Sequence, residues 1–413
     1  MRILTGDVAR RKVRQLEARG SDLESLEPAV RNIIAEIRKT GDRALRIYAE
    51  KWDGLKANEA LRVSQAELET AWAMSAPEFK SALRLAAARI RRFCIAQRLR
   101  EWQRTAGGIT TGQVVRPLES VGCYVPGGRH PLVSTLLMTV VPAQVAGVKR
   151  ICVVSPNPKR EVLAAARMLG VSEVFRVGGA QAVAALAYGT QSVPRVDKIV
   201  GPGNSYVTAA KKLVSFDCSI DLLAGPTEAL IFSNRGRSEF IAADLVAQAE
   251  HDPKAVSVFV TTSKRLAGEV ASALEASAAE NAIARRALNR RGAVLLAGSR
   301  EEAISWANRI APEHITVEPG AVAGIHNAGS IFVGDYSAQA AGDYASGPNH
   351  VLPTGGAARF RGGLSVNDFL KVITVQDLSR KGLSRISKAV TRLAKIEGLT
   401  AHAESIRVRC AHA

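Results

Sequence analysis

The stretches VGCYVPGG (121–128), RICVVSP (150–156), EVFRVGG (173–179) and KIVGPGN (198–204) decide the fold. Each is a short run rich in β-branched residues, and three of the four break into glycines at their carboxyl ends. The strands predicted are Val121–Val125, Ile151–Val154, Val174–Val177, Lys198–Val200 and Ile220–Leu223. Between them, segments near 134–147, 159–169, 180–188 and 204–214 have helical length and pattern. Strands alternating with helices in this way build a parallel sheet covered on both faces. A second series follows, with strands at 229–232, 256–261, 293–296 and 314–317 and helices at 238–250, 263–278 and 300–310. The first 120 residues read as mostly helical, with amphipathic spacing over Asp22–Lys39 and Ala66–Arg100. The Gly-rich stretch 329–365 reads as irregular, and the chain returns to helix after it. The expected fold class is α/β: two Rossmann-like, incomplete doubly wound α/β domains with helical N- and C-terminal extensions. No fixed-period repeat is present, and the two series are candidates for a distant duplication.

Composition excludes several classes. The chain has 413 residues, 47% hydrophobic and 23% charged, which rules out disordered, collagenous and disulfide-scaffold proteins. Its five cysteines form no CxxC pair, which fits a reducing cytoplasm and argues against a thiolate metal site. The N-terminus shows no apolar secretory core. The charge-free run His130–Val148 carries Pro131, Pro142 and several polar residues, so a buried helix is expected there, not a membrane span. The net charge of +18 invites a nucleic-acid reading. The basic clusters Arg10–Arg14, Arg84–Arg100 and Arg285–Arg291 come without zinc-finger spacing, an aromatic RNA-binding motif or a helix-turn-helix pattern. Leu85, Ile90, Phe93 and Leu99 interleave the second cluster as on a solvated helix lying over a core. No nucleic acid and no membrane is expected as a partner.

Three glycine turns follow strands of the first series: Tyr124-Val-Pro-Gly-Gly128, Val177-Gly-Gly-Ala-Gln181 and Val200-Gly-Pro-Gly-Asn204. Such turns let a backbone approach a phosphate at a helix N-terminus, though most only permit tight bends. None is GxGxxG, and no acidic residue follows at a fingerprint position that would read a ribose diol. Gln248 and His251, three apart, place an amide and an imidazole on one helix face; half a metal site and a dipole-stabilised terminal histidine share this pattern. Glu313 and His314 stand at the mouth of a strand, where two titratable groups can divide acid–base work. Gly342-Asp-Tyr-Ala-Ser-Gly-Pro-Asn-His350 carries an acid, a phenol and an imidazole, and Glu397 and His402 add another acid and imidazole.

These elements, in this order, resemble the histidinol dehydrogenase family. The strings that carry the resemblance are GPGNSYVTAAKKLV (201–214), DLLAGPTEALI (221–231), ADLVAQAEHDP (243–253), ANRIAPEHITVE (307–318), GDYASGPNHVLPT (342–354) and GLSVNDFLK (363–371). The resemblance implies zinc ligands at Gln248, His251, Asp343 and His402, a proton-transfer pair at Glu313 and His314, and cofactor contacts at Tyr124, Gln181 and Asn204. It also implies substrate contacts at Thr227, Tyr344, His350 and Glu397, besides His314 and the metal ligands. The implied cofactors are one zinc per subunit and NAD. The implied reaction takes L-histidinol through histidinal to L-histidine with two NAD. His314 would remove the alcohol proton and Glu313 would activate water on the aldehyde. The family's C-terminal segment completes the partner's site, which implies a homodimer with composite sites.

The implied division is a helical extension over 1–20, a larger catalytic domain from 21–123 and 227–364, an NAD-contacting domain over 124–226, and a swapped C-terminal segment over 365–413. Two departures stand out. Thr227 replaces a common Ser, keeping the hydroxyl, and the segment Arg129-His-Pro-Leu-Val-Ser-Thr135 differs from the usual Tyr-Pro-Ser-Ser. Related zinc/NAD enzymes oxidise other small alcohols, including a sulfonated diol. Glu397 and His350 favour histidinol, because a carboxylate attracts an ammonium and repels a sulfonate.

Overall fold

The computed structural model describes residues 1–20, 23–127 and 131–411. Asp22, Gly128, Arg129, His130 and His412 lie outside the described residues, so part of the first glycine turn and of the departing loop does too. Two parallel sheets dominate. The five-stranded sheet runs Glu173–Phe175, Arg150–Val154, Ser120–Tyr124, Lys198–Val200, Ser219–Ile220 across its width. The six-stranded sheet runs Ile3–Thr5, Ala293–Leu296, Val256–Thr261, Glu228–Phe232, His314–Val317, Ser330–Val333. Numbered within each series, both sheets order their strands third, second, first, fourth, fifth. This is the order of a doubly wound half with its reversal between first and fourth strands. The shared order supports the duplication suggested by the alternating sequence; the six-stranded sheet only adds the N-terminal strand at its edge.

The inner strands are buried on both faces, which is why they read as continuous apolar runs. On the six-stranded sheet, Val13 and Leu16 of the helix Gly6–Glu17 join Trp306 and Ile310 on one face. Leu245, Leu266, Val270 and Leu288 cover the other. The helices between residues 27 and 97 pack on the five-stranded sheet. Val30, Ile33, Ile37 and Leu45 meet Val183, Leu186 and Ile199, and Leu68, Leu83 and Ile90 meet Leu136 and Val140. The sequence reading had grouped this stretch with the other sheet.

Several elements differ from the sequence expectation. A three-stranded antiparallel sheet joins Trp102–Ala106, Ile109–Pro117 and Leu370–Leu378, in segments read as helical. Its hairpin turns on Gly107 and Gly108, at φ 61° and 86°, and a glycine pair between β-branched runs is a hairpin signal. The helix Ala282–Arg291 was missed among its arginines; Asn281 caps it by accepting from Ala284 N at 3.0 Å. The stretch read as irregular holds the strand Ser330–Val333 and a short helix, Gln339–Tyr344. Among the described residues no helix is long and apolar enough to cross a membrane.

The two reversal points are used differently. At the carboxyl edge of the five-stranded sheet, the crevice opens into a cavity of about 750 Å³. The equivalent crevice on the six-stranded sheet holds about 30 Å³. There Glu318 pairs with Arg300 and accepts from Asn234 N, closing the space. The titratable residues of interest on that sheet gather at its amino edge instead, where strands 228–232 and 314–317 begin.

Candidate active site

Thr227 precedes the strand Glu228–Phe232, and its hydroxyl donates to Gln248 Oε1 at 3.0 Å. Gln248 Nε2 donates to Asp343 Oδ2 at 3.0 Å, and Asp343 Oδ1 lies 3.3 Å from His314 Nε2. On the far side of the ring, His314 Nδ1 is 3.7 Å from Glu313 Oε2 and is sealed from solvent without a hydrogen bond. Four separate segments thus supply one continuous polar line, and Gln248, Glu313 and His314 in it are buried.

Local structure explains the placement. His314 opens a strand held between two parallel neighbours, and its ring lies 5.9 Å from that of Phe332 on the adjoining strand. Gly342 makes room for that phenyl ring, since a Cβ there would meet Phe332 Cζ at 2.6 Å. Asp343 follows on the helix Gln339–Tyr344, and its carbonyl is 2.8 Å from His350 Nδ1. Glu313 is fixed by Glu228 N, which donates to its Oε2 at 3.0 Å.

Sequence reasoning missed Arg19. It forms a buried ion pair with Glu228 and donates to the carbonyls of Ile310, at 2.7 Å, and Ala311, at 3.2 Å. Ala311, with φ 49°, is one of two non-glycine residues in the left-handed region among the described residues, so the approach to Glu313 is held in an uncommon conformation. Nothing in the local spacing around Arg19 signals this reach.

Charge follows geometry. Burial works against an imidazolium at His314, but the carboxylates of Glu313 and Asp343 outweigh it and lift its pKa to about 10. Burial would raise the Asp343 carboxyl; the hydrogen bond and charge of His314 pull it below its ordinary value. His350 moves the other way, lowered by burial. A second cavity, about 450 Å³, is lined by His314, His350, Phe332 and Asn349.

His251, Glu397 and His402 stand apart from this line. The helix Ser238–Ala249 ends with Glu250 as its cap, so His251 lies on the following bend and not on one helical face with Gln248. Helix ends shift by a residue or two easily, and both side chains remain at that end. Tyr344 is exposed. Glu397, in the turn after the helix Arg380–Ile396, and His402, on the helix Thr400–Ala411, are both exposed. Among the described residues, these helices share no hydrogen bond or ion pair with Gln248, His251 or Asp343. Leu393, Ile396 and Leu399 leave them an open apolar face.

The residues expected to contact a cofactor come together. Tyr124, Gln181 and Asn204 all line the 750 Å³ cavity. Tyr124 is buried, and its hydroxyl accepts from Gly179 N at 3.0 Å. Asn204 caps the helix Ser205–Val214 by accepting from Tyr206 N and Val207 N. Trp52, Asp53, Asn157 and Lys159 line the same space and were not foreseen. The first two come from the N-terminal helical stretch, where no strand or glycine turn marks a ligand.

The third turn is clamped from below. Gly201, at φ 111°, packs so closely on the Tyr124 carbonyl that any side chain would collide. Lys211 Nζ donates to Gly201 O at 2.9 Å and pairs with Asp221, whose Oδ2 accepts from Gly201 N at 2.6 Å. Both side chains are fully buried. Lys211→Met leaves Asp221 charged and buried without its cation, and is expected to lower stability by about 3–5 kcal/mol. Denaturant unfolding beside wild type checks this; an unchanged midpoint would contradict the clamp.

Comparison with known proteins follows this geometry. The family model described as histidinol dehydrogenase matches residues 16–410. A histidinol dehydrogenase of Geobacter metallireducens is 47% identical over 408 residues, covering 95% of this chain and 94% of the relative. One from Methanothermobacter thermautotrophicus is 47% identical over 415 residues, covering 97% of each. The crystal structure of histidinol dehydrogenase from Elizabethkingia anophelis superposes with a TM-score of 0.94 at 34% identity, covering 100% of this chain and 98% of that one.

Proposed function

The chain belongs to the histidinol dehydrogenase family, oxidoreductases of histidine biosynthesis, and we propose that the polar line Thr227–Gln248–Asp343–His314–Glu313 is the centre at which it oxidises L-histidinol to L-histidine. That line is the observation that carries the reading. It joins the amide and carboxylate of the proposed metal donor set directly to a base and a second carboxylate.

Gln248, His251 and Asp343 offer amide oxygen, imidazole nitrogen and carboxylate oxygen, a set that suits zinc. Zinc, when bound, supplies a Lewis acid that can hold the substrate's imidazole and amine. Among the described residues of one chain, no three His, Cys, Asp or Glu side chains gather at metal-holding distance. His402 of a second copy is the proposed fourth ligand, with Glu397 beside it to meet the substrate ammonium. The open apolar face around Leu393 and Ile396 supports a homodimer built on this segment.

His314 is the proposed base for the hydroxyl proton. Its Nε2 faces Asp343, and its sealed Nδ1 has no competing partner. When Asp343 gives its oxygens to a cation, one of the two carboxylates that raise the His314 pKa is withdrawn, which favours the neutral ring that takes a proton. Glu313, fixed through Glu228 N, is the proposed activator of water for the aldehyde step. Thr227 keeps the hydroxyl that holds Gln248, so its extra methyl leaves the hydrogen bond intact. Enclosure beside His350 would keep the aldehyde from escaping between steps.

The 750 Å³ cavity is the proposed NAD site. The dinucleotide, when bound, accepts a hydride in each oxidation. The helices Gly179–Tyr188 and Ser205–Val214 begin at the cavity, so the positive ends of their dipoles face it and favour a phosphate. Work in the cytoplasm, without nucleic acid or membrane, completes the proposal.

The test is NADH yield from zinc-loaded protein given limiting L-histidinol and excess NAD. The four-electron reaction predicts two NADH per histidinol, lost on chelation and restored by zinc. One NADH per alcohol, or turnover indifferent to chelation, would overturn the scheme.

A further inference from the structure

Resting on the reading of the large cavity as a dinucleotide site, we propose that Asp53 selects NAD over its 2′-phosphorylated counterpart by accepting the hydroxyls of a ribose diol. In doubly wound folds an acid at the end of the second strand commonly does this. Here that strand ends in Val154-Ser-Pro-Asn-Pro-Lys159, with no acid and with a lysine at the rim. The acid that reaches the cavity comes from the chain before the first strand of the sheet.

Asp53 lies at the end of the short helical segment Ala49–Asp53 and is 8% exposed. Its Oδ2 is fully engaged, accepting from Gly178 N at 2.9 Å and from Gln181 Nε2 at 3.0 Å. Its Oδ1 has no hydrogen bond among the described residues, yet it is not one of the sealed unpartnered atoms. The residue lines the cavity, so Oδ1 is the oxygen left open to it.

A carboxylate fixed in this way is a preorganised acceptor. It needs no rearrangement to take one or two hydroxyl donors, and a charged acceptor makes the stronger hydrogen bonds. Burial pushes its pKa up while its two donors pull it down, so a further pair of donors is favourable to its charged form. A 2′-phosphate in the same place would bring two negative charges against a carboxylate in a poorly hydrated pocket. Lys159, after that same strand end, also lines the cavity, so the dinucleotide preference weighs its cation against the Asp53 carboxylate.

The substitution that isolates the effect is Asp53→Asn. Its amide oxygen can still accept from Gly178 N and Gln181 Nε2, and its amide NH₂ replaces the open Oδ1. Binding of NAD and of NADP to the full-length, zinc-loaded protein would be read by calorimetry, with no substrate present. Wild type is expected to bind NADP at least about 10- to 100-fold more weakly than NAD. Asp53→Asn is expected to weaken NAD, strengthen NADP and shrink that ratio by at least about tenfold.

A parallel loss of both affinities would assign Asp53 a purely structural role and overturn the proposal. Should the variant fail to fold, the wild-type ratio decides alone, and binding both dinucleotides equally would overturn the proposal while leaving the cavity assignment standing. Binding of neither would overturn the cavity assignment itself, and this proposal with it.

Discussion

Replacing His314 by Asn is expected to lower L-histidinol turnover by about 10²- to 10⁴-fold, the range that a positioned proton-transfer group commands. Zinc content and NAD affinity should stay near wild type. His314 is buried and held from three sides, by Asp343 at Nε2, Glu313 beside Nδ1, and Phe332 against its face. Asn fits within that space, and Asp343 keeps the Gln248 Nε2 donor, so the carboxylate proposed to hold zinc is not left without a partner. What the substitution removes is the ability to take a proton at neutral pH. Steady-state kinetics at saturating substrate, with metal analysis of the same preparation, tests the separation. Turnover within tenfold of wild type would remove His314 from the proton path. Lost zinc would show that its role is to orient Asp343 and not to move a proton.

The sequence disclosed the two parallel sheets because buried strands leave an unmistakable mark. Glu228–Phe232 and Val256–Thr261 are buried throughout, so most of their positions select for apolar bulk. Edge and exposed strands leave none. Trp102–Ala106 is exposed along its whole length, and Leu370–Leu378 nearly so, which is why the antiparallel sheet passed as helix. Ile3–Thr5 is too short to show a period.

The site divides along the same line. Glycine turns on successive strands pointed to Tyr124, Gln181 and Asn204, and these line one cavity. Asp53 and Arg19 act at positions 125 or more residues away in the chain, through hydrogen bonds to Gly178 and to Ile310. Spacing rules see only what is near in sequence, and such contacts exist only once both sheets are folded. Gln248 and His251 show the opposite error. The helical spacing suggested one face, but the helix stops at Ala249 and the chain turns before His251.

The second large effect concerns how many chains make one site. His251→Ala and His402→Ala are each expected to be nearly inactive, since each removes an imidazole from the proposed zinc set. Mixed in equal amounts and allowed to exchange subunits, they should regain activity. If His402 serves the other subunit, a heterodimer has one site with both imidazoles and one with neither. Random exchange makes about half of all dimers mixed, so about a quarter of all sites, and of wild-type turnover, should return. The exposure of Glu397, in the turn after Arg380–Ile396, and of His402, on Thr400–Ala411, is what such an arrangement requires. A site closed within one chain would need those helices to fold back onto the segment around Gln248, and then no mixture of the two variants could restore a complete set. Mass spectrometry of differentially labelled subunits would establish that exchange had occurred. Absence of recovery in a population proven to contain heterodimers would place His402 in its own chain's site, or outside the zinc set altogether.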